Sequence, residues 1–152
     1  MAISRNAIFD ALDSRLSGIV GLNYSTTPKG WDEVQPSEQP FACVVRGGQT
    51  AQPRPRLPPV WNIRAEIRLF VHDTPEGVSD LLMTYLDKIE QALEAVPNEA
   101  RVPGSRFSTS GTATTTLGGL VDSCRISGEV LIDDGLDDGQ AVAVIPIEIV
   151  TA

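Results

Sequence analysis

The chain is short of most groups that carry enzyme chemistry. Its 152 residues include one histidine and two cysteines, His72, Cys43 and Cys124. That leaves no inventory for a zinc site, a histidine-based triad or a disulfide framework. Aromatic residues make up 5%. Bases are also scarce, twelve against twenty acids, for a net charge of −8. A chain this acidic lacks the positive face that a general nucleic-acid or membrane-surface binder needs. Long apolar runs are missing too. The longest, Ala141 to Ile147, falls far short of a bilayer span. The opening MAISRNAIFDALDSRLSG scatters Arg5, Asp10, Asp13 and Arg15 through its length and matches no targeting pattern. The expectation is a cytoplasmic setting with reduced thiols.

What is present is a single-domain balance. Hydrophobic residues make up 41% and charged residues 21%, enough for one core in a chain of this length. Ala7, Ile8, Ala11, Leu12 and Leu16 recur at helical spacing after a capping Ser4, which predicts a helix over about 4–17 ended by Gly18 and Gly21. Residues 22–39 show no period and read as irregular. A strand is expected from Phe41 to about Arg46, broken by Gly47-Gly48. Four prolines within 53–59 then predict an exposed Pro/Arg-rich loop at about 47–59.

From Trp61 to Val71 the odd positions are apolar and the even ones mostly polar, the pattern of a strand with one face on a core. Thr74-Pro75 is a helix-start signal. Val78, Leu82, Tyr85, Leu86, Ile89 and Leu93 make a continuous apolar stripe that Pro97 stops. A third strand is expected over about 117–132, with bulges at its glycines. A last one follows in AVAVIPIEIV, where Pro146 implies an edge or a bulge. The order α-β-β-α-β-β predicts an α+β domain spanning 1–152. It has one mostly antiparallel sheet of about four strands and two helices packed on one face.

Candidate chemistry is thin. His72-Asp73 could pair a base with its orienter, but the ordinary reading is a strand end running into a turn. Cys43 and Cys124 read as buried thiols. The acidic stretch DDGLDDG lacks the spacing of a calcium loop, and Gly118-Gly119 lacks the lysine and helix of a phosphate cradle. No catalytic residue, cofactor or metal is expected.

Charge segregation is the stronger signal. Residues 46–68 hold five arginines and one glutamate, a local +4. Residues 73–99 hold seven acids and one lysine, and 126–152 hold six acids and no base. The sharper reading is head-to-tail self-association, with a basic segment of one copy on an acidic surface of the next. Candidate interface residues are Arg46, Arg54, Arg56, Arg64, Glu66 and Arg68 on one side, and Asp133, Asp134, Asp137 and Asp138 on the other.

The order of these segments resembles the tail terminator proteins of long-tailed bacteriophages, also called minor tail or tail-completion proteins. The likeness rests on RNAIFDALDSRL, the Pro40-Phe41-Ala42 strand entry, the Trp61–Val71 strand after its loop, and LLMTYLDKIEQAL. It continues through TLGGLVDSCRISGEV, the acidic glycine turn and the closing AVAVIPIEIV. The resemblance implies a non-enzymatic virion protein of the tail, assembled in the host cytoplasm. It implies a homo-oligomeric ring, a hexamer, that caps the tail tube, stops its polymerisation and offers a surface for the head. Its partners would be itself, the tail tube protein and a head-completion or connector protein. DNA would only pass through the pore, and no membrane would be involved. The alternatives are another head–tail joining or neck protein, or a small cytosolic ligand-binding module or enzyme.

Overall fold

The structure, a computed structural model, describes residues 3–96, 114–133 and 139–151. Helix α1 spans Arg5–Ser17 and helix α2 Val78–Ala92. The strands are β1 Asn23–Ser25, β2 Phe41–Arg54, β3 Leu57–His72, β4 Ser123–Ile126, β5 Leu131–Asp133 and β6 Gln140–Val150. They form one mixed sheet in the order β1-β2-β3-β6-β4, with β5 on the same edge of β6 as β4. The domain is α+β, as expected. Among the described residues it has two α-helices and six strands rather than about four, and β1 runs parallel to β2.

The strict alternation of β3 decides the layering. Ile63, Ala65, Ile67, Leu69 and Val71 are all buried, as are Ala141, Ala143, Ile145, Ile147 and Ile149 on β6. These two rows meet Ile8, Leu12 and Leu16 of α1 and Val78, Leu82 and Ile89 of α2 in one core, so both helices cover the same face. Ser4 caps α1, its Oγ accepting from Ala7 N at 3.3 Å. Arg15 ties the helices together by donating from Nη1 to the carbonyls of Ala92 and Glu94 at 3.3 and 3.1 Å. It thereby satisfies orphan carbonyls at the end of α2.

The region 47–59 is where expectation and structure part most clearly. β2 and β3 continue through it as a long antiparallel hairpin, not a loop. Gly47 and Gly48 do not break β2. They form a bulge, two residues against Arg64, at the register shift between Arg46 and Gln49. A Cβ on Gly47 would sit 2.9 Å from the Arg64 carbonyl oxygen, so the close approach needs glycine. The prolines are accommodated because Pro53 lies at a second register shift and Pro55 in the turn. Pro58 and Pro59 lie where the pairing skips residues. Arg56 takes the left-handed conformation of the turn, with φ 61°.

Three smaller corrections follow the same logic. The strand expected over 117–132 starts only at Ser123, because Leu117, Gly118 and Gly119 have positive φ and form a turn, and it divides into β4 and β5 at Gly128, with φ 110°. β6 is not an edge strand, since β3 flanks it on one side and β4 and β5 on the other. Pro146 faces the gap between those two, where its carbonyl accepts from Ser127 N at 3.0 Å and a missing N–H costs no ladder bond. Helix α2 starts three residues after Pro75. The Asp73 carboxylate instead accepts from Thr74 N at 2.8 Å and holds the entry turn.

Candidate assembly surface

Among the described residues the hairpin arm is a long, organised and mostly exposed segment. Pairing of β3 with β6 ends at Asn62–Val150, and Thr151 closes the junction, with its N on the Trp61 carbonyl and its Oγ1 accepting from Trp61 N. From Ala51 to Val60 the two arm strands pair only with each other among the described residues. Arg5 pins the base, donating to Gln49 Oε1 while its guanidinium lies 4.5 Å from the Trp61 ring centroid. Of the candidate arginines, Arg46 stacks over Phe9 at 4.4 Å. Arg54 donates from Nε and Nη2 to the Pro58 carbonyl at 2.9 and 2.7 Å, which stiffens the tip. Arg56 is exposed in the turn, beside Leu57, which is 60% exposed. No acidic residue occurs between Arg46 and Arg64.

Arg64, Glu66 and Arg68 lie on the sheet face opposite α1 and α2, as the alternation of β3 requires. They do not offer a row of unpaired charges. Arg64 of β3, Glu148 of β6 and Arg125 of β4 stand in register across three strands. Arg64 Nη2 is 3.3 Å from Glu148 Oε2, and Arg125 Nη2 is 3.2 Å from Oε1. Arg68 Nε is 3.2 Å from Glu66 Oε2 on the same strand. Glu148 is the residue that sequence reasoning missed. Its one signal is an acid in the apolar run IPIEIV. Beside this charged row a small apolar cluster of Val34, Phe41, Cys43 and Phe70 fills the rest of the face.

The acidic side is partly outside the description. Asp133 ends β5 and is exposed. Asp134, Asp137 and Asp138 lie outside the described residues. Acids also occur elsewhere. Between the last turns of α2 and β4 runs a groove of ≈ 530 Å³ with an apolar floor of Leu86, Leu93, Ile126 and Val130. Exposed Glu90 and Glu94 stand on its rim, and Arg125 reaches its edge. The residues that line it are scattered from 86 to 130, so no local motif announces it.

The remaining candidates stay separate. His72 is exposed at the end of β3, and the Asp73 carboxylate is taken by Thr74 N, so the two do not form a base–orienter pair. Cys43 and Cys124 are free, buried and on opposite faces of the sheet. Burial pushes the Cys124 thiol up to about 12 and raises Cys43 as well, which makes both poor nucleophiles. Burial and the neighbouring Asp13 carboxylate, which accepts the Tyr24 hydroxyl proton, push Tyr24 up. Among the described residues no group of three or more His, Cys, Asp or Glu side chains could hold a metal. No helix there is long and apolar enough to cross a membrane. Compared with known proteins, the chain matches no family model and no curated protein.

Proposed function

We propose that this chain is a structural virion protein of a long-tailed bacteriophage, forming a homo-oligomeric ring that caps the tail tube. The ring, taken as a hexamer, stops tube polymerisation and offers a surface for the head-completion or connector protein. DNA passes through its pore, where an acidic lining would repel it and prevent sticking. The sequence resemblance suggests the class. The observation that carries the reading is the hairpin arm, which holds Arg54 and Arg56 without an acid and projects from an otherwise acidic body. Such an arm adds little to the core of its own subunit and is suited to meeting another.

Size and shape test the reading directly. Light scattering of the purified protein, alone and with tail tubes, should give a ring-sized multimer, and negative stain should show rings. Deleting Gln52 to Pro58 should leave monomer stability nearly unchanged and weaken assembly. A phage lacking the protein should make overlong or headless tails. A monomer at all concentrations, together with normal tails in its absence, overturns the proposal. A second head–tail joining role predicts rings without control of tail length, so the same assay separates the two.

A further inference from the structure

We propose that the tip of the hairpin arm of one copy seats in the α2–β4 groove of the next. This rests on the ring reading above and names the two surfaces that would join. The tip presents Leu57, 60% exposed, between Pro55 and Pro58, with Arg54 and Arg56 around it. Leucine and proline side chains suit the floor of Leu86, Leu93, Ile126 and Val130. The exposed Arg56 suits the rim of Glu90 and Glu94. Apolar contact at the centre and opposite charges around it is the usual anatomy of a protein interface. Prolines and the Arg54–Pro58 bonds hold the tip in shape beforehand, which lowers the ordering cost of docking.

Topology selects the partner. The arm leaves the sheet at the β2–β3 side and runs past the end of β6. The groove lies on the far side of β6, against β4. No hydrogen bond or ion pair joins the arm to α2 or β4 among the described residues. The groove is thus served by an arm other than its own. Arm-to-arm pairing between two copies would bring Arg54 and Arg56 against their own equivalents, which like-charge repulsion disfavours. Arm to groove is a heterologous contact. Repeated, it closes into a ring when the rotation permits.

Cross-linking tests the placement. In the double variant Leu57→Cys/Glu90→Cys, mild oxidation should give a ladder of covalent multimers up to ring size on a denaturing gel. The single variants should not. In parallel, Arg56→Glu should weaken self-association about tenfold, and adding Glu90→Arg should restore it. Circular dichroism and thermal melting of each variant should match the parent, because Arg56, Leu57 and Glu90 are all exposed. A multimeric parent with no ladder and no charge-swap rescue overturns the docking while the ring reading stands. A ladder accompanied by open chains, with no effect on tails, upholds the docking and removes the tail-capping function. A parent that stays monomeric overturns both. Arm variants that keep the parent's oligomer size but lose binding to tail tubes also overturn it, because the arm's partner is then the tube.

Discussion

Removing both arginines that flank Glu148 should cost far more than either alone, and more than neutralising Glu148 itself. Glu148 is 8% exposed, yet each of its carboxylate oxygens has its own arginine, at 3.3 Å from Arg64 and 3.2 Å from Arg125. The arginine side chains are 60% and 46% exposed. Loss of one leaves the carboxylate compensated by the other. A pair with so exposed a cation is worth roughly 0–1 kcal/mol. Arg64→Ala and Arg125→Ala should therefore each cost about 0.5 kcal/mol.

The double variant leaves a nearly buried carboxylate without a partner. Stranding a fully buried charge costs about 3–5 kcal/mol. Some water access at Glu148 lowers the expectation to about 2–3 kcal/mol, still at least 1 kcal/mol beyond the sum of the singles. Glu148→Gln takes the charge out of the buried position and leaves two arginines that can turn to water, so it should cost about 1 kcal/mol. Urea denaturation of the four-member cycle measures the coupling. The double variant should also melt about 5–10 °C below the parent. An additive cycle, or a Glu148→Gln variant less stable than the double-arginine one, would refute the reasoning.

Four other outcomes are expected. Ile67→Asp places a charge at a fully buried position of β3, between Val44 and Ile145. It should lose more than about 4 kcal/mol, so a parental melting curve would show that the core face of β3 is wrongly assigned. Gly139→Ala should be destabilising by roughly 2–3 kcal/mol in denaturant unfolding, because φ is +73° and its Cβ would lie 2.2 Å from the Asp73 carbonyl oxygen. Stability should be lost at alkaline pH. The Cys124 thiol is raised from 9.0 to about 12 in the folded state, so the unfolded chain releases its proton first and stability falls as pH climbs from about 9 towards 12. Tyr24 is raised as well and adds to that slope. Unfolding measured across this range should be less steep in Cys124→Ala and in Tyr24→Phe. A thiol reagent at neutral pH should label neither Cys43 nor Cys124 before unfolding.

The parts of the fold legible in the sequence are those whose period is set by burial on one side. β3, α2 and β6 each repeat their apolar residues at the spacing of their own backbone, and all three face the core they predict. The parts not legible depend on distant partners. β1 is only Asn23–Ser25, a sequence with little strand character, held by parallel pairing to Phe41–Cys43. The arm hid behind its prolines, because nothing local shows that they fall at the turn and at the skipped positions of a hairpin. β4 and β5 read as one strand because the positive φ values at Leu117 to Gly119 and at Gly128 cannot be seen in an apolar alternation. Of the assembly surface, the basic arm was legible as a charge cluster. The pairing of Arg64 was not, since Glu148 lies 84 residues from it.

That pairing changes how charge bears on association. The open sheet face is close to neutral within itself, Glu66 against Arg68 and Glu148 against Arg64 and Arg125. The arm carries two arginines, Arg54 and Arg56, and no acid. With the whole chain at −8, the rest of the body is more negative than that figure. Two such bodies repel at any orientation that keeps their arms away from each other's acids. Among the described surfaces the arm is a stretch with bases and no acid, so attraction is favoured in orientations that bring an arm onto an acidic rim. Because the arm and the α2–β4 groove lie at different places on one subunit, satisfying one contact leaves the other pair open for the next copy. The same acidity that opposes random clustering would thus favour one directional contact. On the proposed docking, that contact would add subunits in sequence until the chain of copies meets itself.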